Sequence, residues 1–383
     1  MKIALITGTF FPHAGGVQIE VHNNANQLKK RGYDVDVFVN KSISLKNNDY
    51  KIIKLNYLKL TFLYIFKFYL NLNLNFFFRF FDLRLINLNY NIYHFHFLNF
   101  KSLILIEFLK FHQKKIIVTF HGADIQIERK INYGFRINEN YDLYLKKVIG
   151  KIDCFQCISK NIFNDLKKIG IKGNKIINIS NSIKINKFEK IKKKTKLNKT
   201  IKLITVGRYA KYKKGFDLLP IFAKKLIDKK INFKWKIVGE NSNKINEDEY
   251  IKKNKKFFIT IPNIQNKLEK YHPNKKLISH YNSSNLYINL ARVESFGLTF
   301  VEALACGLPI LTFKTKGVRE IISNHKNGFF IKNLDQLVNK ILEIQKNKKI
   351  YYKLQKFSRN SVKKYDLDNN ILKVEKMYKK NIN

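Results

Sequence analysis

The sequence has little cysteine, few acidic side chains and no long apolar run, and each shortage excludes a class of protein. Three Cys in 383 residues are too few for a disulfide scaffold and suit a reducing compartment. Residues 68–78, the longest uncharged run of the aromatic-rich region, are 11 residues long and include three Asn, whereas a spanning helix needs about 20 apolar residues. We therefore expect a cytoplasmic chain without a spanning helix, beginning with a strand rather than a signal peptide.

Acidic residues are strongly outnumbered, since 74 Lys and Arg stand against 28 Asp and Glu for a formal charge of +46. This balance is typical of nucleic-acid-binding proteins, and it also favours an anionic membrane surface as a partner. Only nine of the basic residues are Arg, and the Lys are spread along a chain rich in other residues with A/T-rich codons. We interpret the charge mainly as solvated Lys and expect no nucleic-acid partner. A hydrophobic fraction of 45% indicates a globular protein.

Strands and helices alternate along the chain, which predicts an α/β protein whose parallel sheets carry helices on both faces. Short apolar runs predict strands at 2–7, 35–39, 92–97, 116–120, 155–158, 175–179, 202–206, 234–238, 257–261, 286–289 and 309–313. Residues 184–200 are Lys-rich and lack an apolar period, which predicts a linker. We expect an N-terminal domain at 1–183, a C-terminal domain at 201–363 and a final amphipathic helix at 364–383.

Residues 57–81 are unusually aromatic, and their spacing leaves two structures open. Residues 70–76 alternate with Asn as a strand would. A helical spacing instead connects Leu58, Phe62, Ile65 and Tyr69. The rings either pack on the core of the first domain or form a basic, aromatic face that rests on a lipid surface.

The strongest candidate for a functional site is the segment ESFGLTFVE, in which Glu294 and Glu302 stand eight residues apart. Glu294 precedes Gly297 in a predicted loop, and Glu302 lies in the first turns of a helix that ends at Gly307. Free backbone N–H groups at a helix start suit a phosphate, and carboxylates suit sugar hydroxyls. The alternative is a pair of acids favoured by the helix dipole, which stabilises each by only about 0.3–1 kcal/mol.

The segment VGRYAKYKKG opens the second domain and carries a candidate diphosphate clamp. Arg208 stands in a chain that uses Lys almost everywhere, and a planar guanidinium binds phosphate through two hydrogen bonds. Lys214 adds a point charge just before Gly215, at a predicted helix start. For Lys214 alone, a solvated surface lysine is the alternative.

Two segments of the first domain are further candidates. GGVQ, at Gly15–Gln18, lies between a strand and a helix, where the backbone can approach a ligand closely. It is not G-x-G-x-x-G, which disfavours a Rossmann dehydrogenase. His121, in TFHGAD, follows a predicted strand, and open α/β sheets bind ligands at the carboxyl ends of their strands.

Two other patterns do not indicate a metal site. Cys154 and Cys157 have C-x-x-C spacing, but they lie in a predicted strand, where such residues point to opposite faces. His94 and His96 share a strand face and have the chemistry of metal ligands, yet we interpret them as lining the ligand cleft or packing near its rim. We expect no metal and no other cofactor.

Taken in order, these motifs resemble the family 4 retaining glycosyltransferases over almost the whole chain. The resemblance implies a GT-B fold, in which two Rossmann-like domains face each other across a cleft and the last helix crosses back to the first domain. It implies transfer of a hexose from a UDP- or GDP-sugar to a glycan or lipid-linked acceptor, in polysaccharide, lipopolysaccharide or glycolipid synthesis. Peripheral attachment to the inner face of the membrane would suit such acceptors. A nucleic-acid-binding protein, or a GT-B-like epimerase or phosphorylase, is the alternative.

The resemblance also implies roles for single residues of the second domain. Arg208 and Lys214 would hold the donor's diphosphate, and Glu294 would contact the hydroxyls of the donor sugar. Glu302 would bind the ribose hydroxyls. Backbone N–H groups that would contact the sugar or phosphate belong to Phe296, Gly297 and Leu298.

In the first domain, the resemblance implies that Gly16 lets a loop approach the diphosphate and that His121 sits by the transferred sugar. His121 would join Arg208, Lys214 and Glu294 as the catalytic residues. The sequence departs from the family at residues 181–184, which read NSIK where the family has N-G-[VI]-D. It also departs at Arg292, which we expect to alter the choice of donor or acceptor.

Overall fold

Two parallel β-sheets, one in each of two units, carry the fold of the protein. The structure is a computed structural model that describes residues 1–11, 15–40, 48–80, 85–189, 196–262, 264 and 269–382. The first unit consists of Met1–Asn181 and Asp368–Asn383, and the second of Ser182–Leu367. The α/β class with parallel sheets, predicted from the alternation of strands and helices, is confirmed, and so are the two Rossmann-like sheets that the resemblance implies.

The first unit contains a seven-stranded sheet in the order β3-β2-β1-β4-β5-β6-β7, with every neighbouring pair parallel. Its strands are β1 (Lys2–Thr7), β2 (Asp34–Val39), β3 (Lys51–Lys54), β4 (Ile92–His96), β5 (Ile116–Phe120), β6 (Cys154–Cys157) and β7 (Ile176–Asn178). Its helices are α1 (Gly16–Lys30), α2 (Tyr57–Phe68), α3 (Leu74–Phe80), α4 (Phe100–Phe111), α5 (Glu139–Ile149) and α6 (Lys160–Lys168). The central strands are buried on both faces, which is why they read as continuous apolar runs.

The second unit contains a six-stranded parallel sheet in the order β10-β9-β8-β11-β12-β13. Its strands are β8 (Ile201–Val206), β9 (Phe233–Val238), β10 (Phe258–Ile261), β11 (Leu286–Asn289), β12 (Ile310–Phe313) and β13 (Gly328–Ile331). Its helices are α7 (Asn186–Glu189), α8 (Leu219–Asp228), α9 (Glu249–Lys253), α10 (Lys275–Asn282), α11 (Leu298–Ala305), α12 (Leu334–Lys346) and α13 (Lys348–Ser361). α7 lies within the predicted linker, of which residues 190–195 fall outside the described residues.

The last helix, α14 (Leu367–Ile382), packs on the first unit. Near its start, Asp368 accepts a hydrogen bond of 2.7 Å from Nε2 of Gln27. Further along the helix, Glu375 pairs with Arg31 at the end of α1. Tyr378 places its hydroxyl 2.7 Å from Nδ1 of His94. These contacts join the C-terminal segment to α1 and to the sheet of the first unit.

In each sheet there is one point at which the chain stops adding strands on one side and starts adding them on the other. Open α/β sheets bind ligands at this reversal point. In the first unit the reversal lies between β1 and β4, and in the second between β8 and β11. The loops that follow these strands contain the GGVQ, VGRYAKYKKG and ESFGLTFVE segments. The fold thus places most of the candidate residues at the reversal points.

In the aromatic segment, the helical spacing prevails over the alternation. α2 and α3 cover most of residues 57–80, and residues 70–76 form no strand. Leu60 and Leu63 are buried, whereas Leu58 and Phe62 of the same helix are 75% and 59% exposed. Residue 81, which the prediction included, lies outside the described residues. Within the described residues, none of the helices combines the length and the hydropathy that crossing a membrane requires.

Candidate active site

The loop after β8 carries Arg208 and Lys214 and is pressed against the segment that follows β11. Gly215 has φ +69°, and a Cβ at this position would lie 2.0 Å from the carbonyl oxygen of Leu290. Only glycine permits so close an approach. The N–H of Arg292 donates to the carbonyl of Lys213 at 3.0 Å, so the two loops are joined through their backbones.

Arg292 holds the same two loops together with its side chain. Its guanidinium donates two hydrogen bonds, of 2.8 and 2.7 Å, to the carboxylate of Asp217, and a third to the carbonyl of Tyr212. A bidentate Arg–carboxylate pair fixes both the distance and the orientation of the groups it joins. We expected Arg292 to influence substrate choice. The structure engages its guanidinium in positioning the loop that carries Lys214.

The central contact of the site is an ion pair between Lys214 and Glu294. Nζ of Lys214 lies 2.6 Å from Oε2 of Glu294, and the two side chains are 25% and 12% exposed. Lys213, beside them, is half-buried. Burial, together with the charge of Lys214, lowers the pKa of Lys213 to about 8. Arg208 is exposed, and among the described residues it makes no hydrogen bond or ion pair.

The N-terminus of α11 lies beside Glu294 and presents backbone donors. Gly297, the residue before the helix, has φ +100°, and a Cβ there would lie 2.8 Å from Cδ2 of Phe300. In the described part of the chain, the N–H groups of Phe296, Gly297 and Leu298 have no acceptor. The side chains of Phe296 and Leu298 are buried, so these residues can meet a ligand only through their backbone.

The backbone of Glu294 is also held from the other side. The N–H of Gly317 donates to the carbonyl of Glu294 at 3.0 Å, and a Cβ on Gly317 would lie 2.1 Å from that same oxygen. The backbone of Glu294 is thus held by Gly317, and its side chain passes Gly297, where a Cβ would lie 3.3 Å from Cγ of Glu294. Such a rigid support suits a residue that must meet a ligand in one geometry.

Glu302 lies deeper in the second unit, with only 1% of its surface exposed. The hydroxyl of Tyr281 donates to its Oε2 at 2.8 Å. Burial raises the pKa of Glu302 to about 7, while the hydrogen bond from Tyr281 and the charge of Lys187 oppose the rise. The structure thus gives this carboxylate a protein hydroxyl as its partner, and contact with ribose stays a prediction.

In the first unit, Gly16 begins α1, immediately after Gly15. Oε1 of Gln18 accepts the N–H of Gly15 at 2.9 Å, and its Nε2 donates to Oγ1 of Thr9 at 2.6 Å. The Gln of GGVQ therefore ties the start of the helix to the segment that follows β1. Residues 12–14, between these two points, lie outside the described residues.

His121 follows β5, and a buried carboxylate holds its backbone. Asp124 accepts the N–H groups of His121, Gly122 and Leu98 at 2.8–3.2 Å. Burial raises the pKa of Asp124 to about 7, and these N–H groups oppose the rise. Asp124 thus fixes the loop in which His121 lies.

The ring of His121 contacts a second histidine. Its Nε2 lies 3.2 Å from Nδ1 of His96, and the rings of His96 and His94 are 4.2 Å apart. Burial lowers the pKa of both His94 and His121 to about 3, so these imidazoles are neutral. The two nitrogens of His94 face the hydroxyls of Tyr378 and Thr119 at 2.7 Å.

The structure brings Lys214, Glu294 and the start of α11 together in the second unit, while Gly16 and His121 belong to the first. Sequence reasoning missed Lys213, because it stands among many other lysines, and the supporting residues Asp124 and Asp217.

Cys154 and Cys157 both lie in β6 as buried free thiols, and burial raises the pKa of Cys157 to about 12.

Two family models match the chain. The model described as Glycosyltransferase Family 4 matches residues 14–187, and the model described as Glycosyl transferases group 1 matches residues 186–363. Together they cover nearly all of the two units.

Several curated proteins are similar to the chain. An uncharacterized 41.2 kDa protein in the cps region of Klebsiella pneumoniae is 25% identical over 73% of this chain and 75% of its own length. The alpha-monoglucosyldiacylglycerol synthase of Acholeplasma laidlawii is 29% identical over 42% of this chain and 39% of its own length. The capsular polysaccharide biosynthesis glycosyltransferase CapM of Staphylococcus aureus is 30% identical over 41% of this chain and 40% of its own length.

Solved structures resemble the chain over its full length. A glycosyltransferase from Rickettsia africae gives a TM-score of 0.71 at 19% identity, covering 99% of this chain and 98% of that one. HepE of Anabaena, solved in complex with UDP and glucose, gives a TM-score of 0.71 at 13% identity and covers 99% of both chains. At these identities the likeness shows the fold, and it confirms the predicted GT-B class.

Proposed function

The chain belongs to the family 4, group 1 glycosyltransferases, and from that premise we propose that it transfers a hexose from a UDP- or GDP-sugar to an acceptor hydroxyl with retention of anomeric configuration. The observation that carries this proposal is the contact of Lys214 with Glu294 beside the open N–H groups of α11. A cation, a carboxylate and backbone donors at one place match a diphosphate joined to a sugar. HepE, which shares the fold, was solved with UDP and glucose.

In the proposed site, Lys214 and Arg208 bind the diphosphate, and the N–H groups of residues 296–298 supply further donors. The two cations and the N–H dipoles stabilise the negative charge that develops on the diphosphate as its bond to the sugar breaks. We propose that these groups act without a metal ion. Glu294 accepts hydrogen bonds from the sugar hydroxyls, and Glu302 binds the ribose. His121, held neutral by burial, sits by the transferred sugar, and Gly16 gives the diphosphate room to approach.

The proposed reaction proceeds on one face of the sugar. The bond between the anomeric carbon and the diphosphate oxygen breaks, and the acceptor oxygen forms its bond to the same carbon from the same side. The acceptor's proton passes to the departing phosphate oxygen. Glu294 shares a loop with the groups that bind the diphosphate, so it lies on the leaving-group side. A nucleophile for double displacement would have to lie on the opposite side.

The acceptor class is proposed from the relatives. CapM acts in capsular polysaccharide biosynthesis, and the Acholeplasma protein is a synthase of a glycosylated diacylglycerol. We propose a glycan or lipid-linked acceptor used in polysaccharide or glycolipid synthesis, at an anionic membrane surface. Nucleic acid is no part of this function.

A thermal-shift panel tests the proposal. UDP or GDP, or a sugar derivative of one of them, raises the melting temperature of the protein, and DNA and RNA do not. Lys214→Ala removes the shift. Lys225→Ala is the matched control, because Lys225 belongs to the same unit and pairs with the exposed Asp335 at 2.6 Å. Stabilisation by DNA or RNA and not by any nucleotide would contradict the proposal.

A further inference from the structure

The structure assigns a membrane-docking surface to the first unit, which we propose rests on an anionic lipid bilayer. It is the outward side of α2 with the residue that follows the helix, and it is formed by Leu58, Phe62, Ile65 and Tyr69. We call these four residues the aromatic face. They are spaced as i, i+4, i+7 and i+11 and therefore share one side of the helix. Their exposed fractions are 75%, 59%, 38% and 74%. The opposite side of α2 is buried through Leu60 and Leu63.

Exposed apolar side chains are concentrated at this place. Of the 20 large hydrophobic residues that are exposed in the described part of the chain, eight lie between residues 57 and 76. Three of them, Leu70, Leu72 and Phe76, follow α2 directly in the sequence. Isolated exposed apolar residues are normal on any surface, but a contiguous patch indicates a binding surface.

The helix that bears the aromatic face is anchored to the rest of the unit, so the face is not a loose segment. The rings of Tyr64 and Phe68 pack on Phe100 of α4 at 5.4 and 4.8 Å. Phe66 of α2 stacks on Phe77 of α3 at 4.9 Å. With its other side already engaged, α2 is held with the aromatic face directed outward.

The charge of the segment that bears the face favours an anionic lipid surface over other partners that would cover apolar residues. The sequence from residue 50 to residue 81 contains four Lys and one Arg and no Asp or Glu. Lys101 lies at one edge of the face, where its Nζ donates to Thr61 at 2.8 Å and lies 3.4 Å from the ring of Tyr57. Exposed apolar side chains in a segment that carries cations and no carboxylate match the headgroup region of an anionic bilayer. A second copy of this chain would bring the same cations against each other.

Vesicle binding tests the assignment without any substrate, so its result is independent of the proposed sugar transfer. The probes are vesicles of phosphatidylcholine alone and of phosphatidylcholine with phosphatidylglycerol in equal parts. The protein binds the anionic vesicles, and the binding weakens steeply between low and high salt. The double variant Leu58→Ser/Phe62→Ser lowers the affinity by about tenfold or more, since both side chains leave the bilayer. The matched control is Leu143→Ser/Ile221→Ser, whose side chains are 66% and 51% exposed elsewhere, and it binds like the wild type.

A fluorescent reporter locates the contact. The chain has one tryptophan, Trp235, which is fully buried in the second unit and gives a constant background. In the variant Phe62→Trp, emission shifts to the blue on addition of anionic vesicles and not of phosphatidylcholine vesicles. Equal vesicle binding by the double variant and the wild type, or an unchanged emission spectrum of Phe62→Trp with anionic vesicles, overturns the assignment. A dimer in sedimentation velocity that the double variant abolishes, without vesicle binding by the wild type, overturns it in favour of a second copy.

Discussion

Removal of the Glu294 charge is predicted to have opposite effects on nucleotide binding and on sugar transfer. Lys214 is paired with Glu294 at 2.6 Å. In the proposed site, the same Lys214 binds the diphosphate, so Glu294 competes with the nucleotide for this cation. Glu294→Gln keeps the shape of the side chain and some of its hydrogen bonding but ends the competition.

The expected gain in nucleotide affinity follows from the exposure of the Lys214–Glu294 ion pair. Both side chains are less than a third exposed, at 25% and 12%. The ion pair should therefore contribute about 1 kcal/mol, which is at the upper end of the range for surface pairs. Its loss should tighten binding of UDP or GDP by about fivefold. The sugar hydroxyls lose a charged acceptor in the transition state, so kcat should fall by about 10²–10³.

Isothermal titration with UDP and GDP, beside turnover of the matching nucleotide-sugar, measures both effects. Lys214→Gln should weaken nucleotide binding, because it removes the cation itself. Asp335→Asn, which releases Lys225 from an exposed pair in the same unit, should change neither quantity. If Glu294→Gln lowered nucleotide affinity in proportion to kcat, Glu294 would contribute to nucleotide binding instead of competing with the nucleotide for Lys214, and the reasoning would be refuted.

Three further predictions concern the metal, the stereochemistry and pH. Transfer should survive excess EDTA, and complete loss that Mn²⁺ or Mg²⁺ restores would show that a metal is required. The product should keep the donor's anomeric configuration by NMR, with no sugar trapped on Glu294 by mass spectrometry; an inverted product would contradict the proposed retention. Burial raises the pKa of Glu302 from 4.5 to about 7, so the folded state binds its proton more tightly and the stability this gives is lost as pH rises from 4.5 to 7. The stability difference between wild type and Glu302→Gln should therefore change by up to about 3 kcal/mol across this range, and a pH-independent difference in denaturant unfolding would contradict it.

Those parts of the fold that depend on long apolar runs could be predicted from the sequence. The central strands β1, β4 and β5 and their counterparts in the second unit are buried on both faces, so each appears in the sequence as a continuous apolar run. β3 and β13, four-residue strands at the edges of their sheets, were not predicted, although β10, which is as short and also lies at an edge, was. Such strands are defined by their pairing with a neighbour rather than by their own pattern.

The candidate site shows the same division between local and long-range information. Glu294 and Gly297 belong to one short motif, and Arg208 stands out against the lysines, so their composition suffices to single them out. The salt bridge between Arg292 and Asp217 joins residues 75 positions apart. The hydrogen bond from Tyr281 to Glu302 likewise depends on how α10 packs against α11. No local pattern contains these partners, because they meet only once the sheet has formed.

Consumption of a nucleotide-sugar tests the central claim most directly. The wild-type protein is incubated with a panel of UDP- and GDP-sugars, with membrane lipid extract as a source of acceptors, and release of UDP or GDP is followed by chromatography. The account predicts that at least one donor is consumed, that Lys214→Ala loses about 10² or more of this rate, and that Lys225→Ala retains it. Consumption of no donor by the wild type, or full activity of Lys214→Ala, would contradict it.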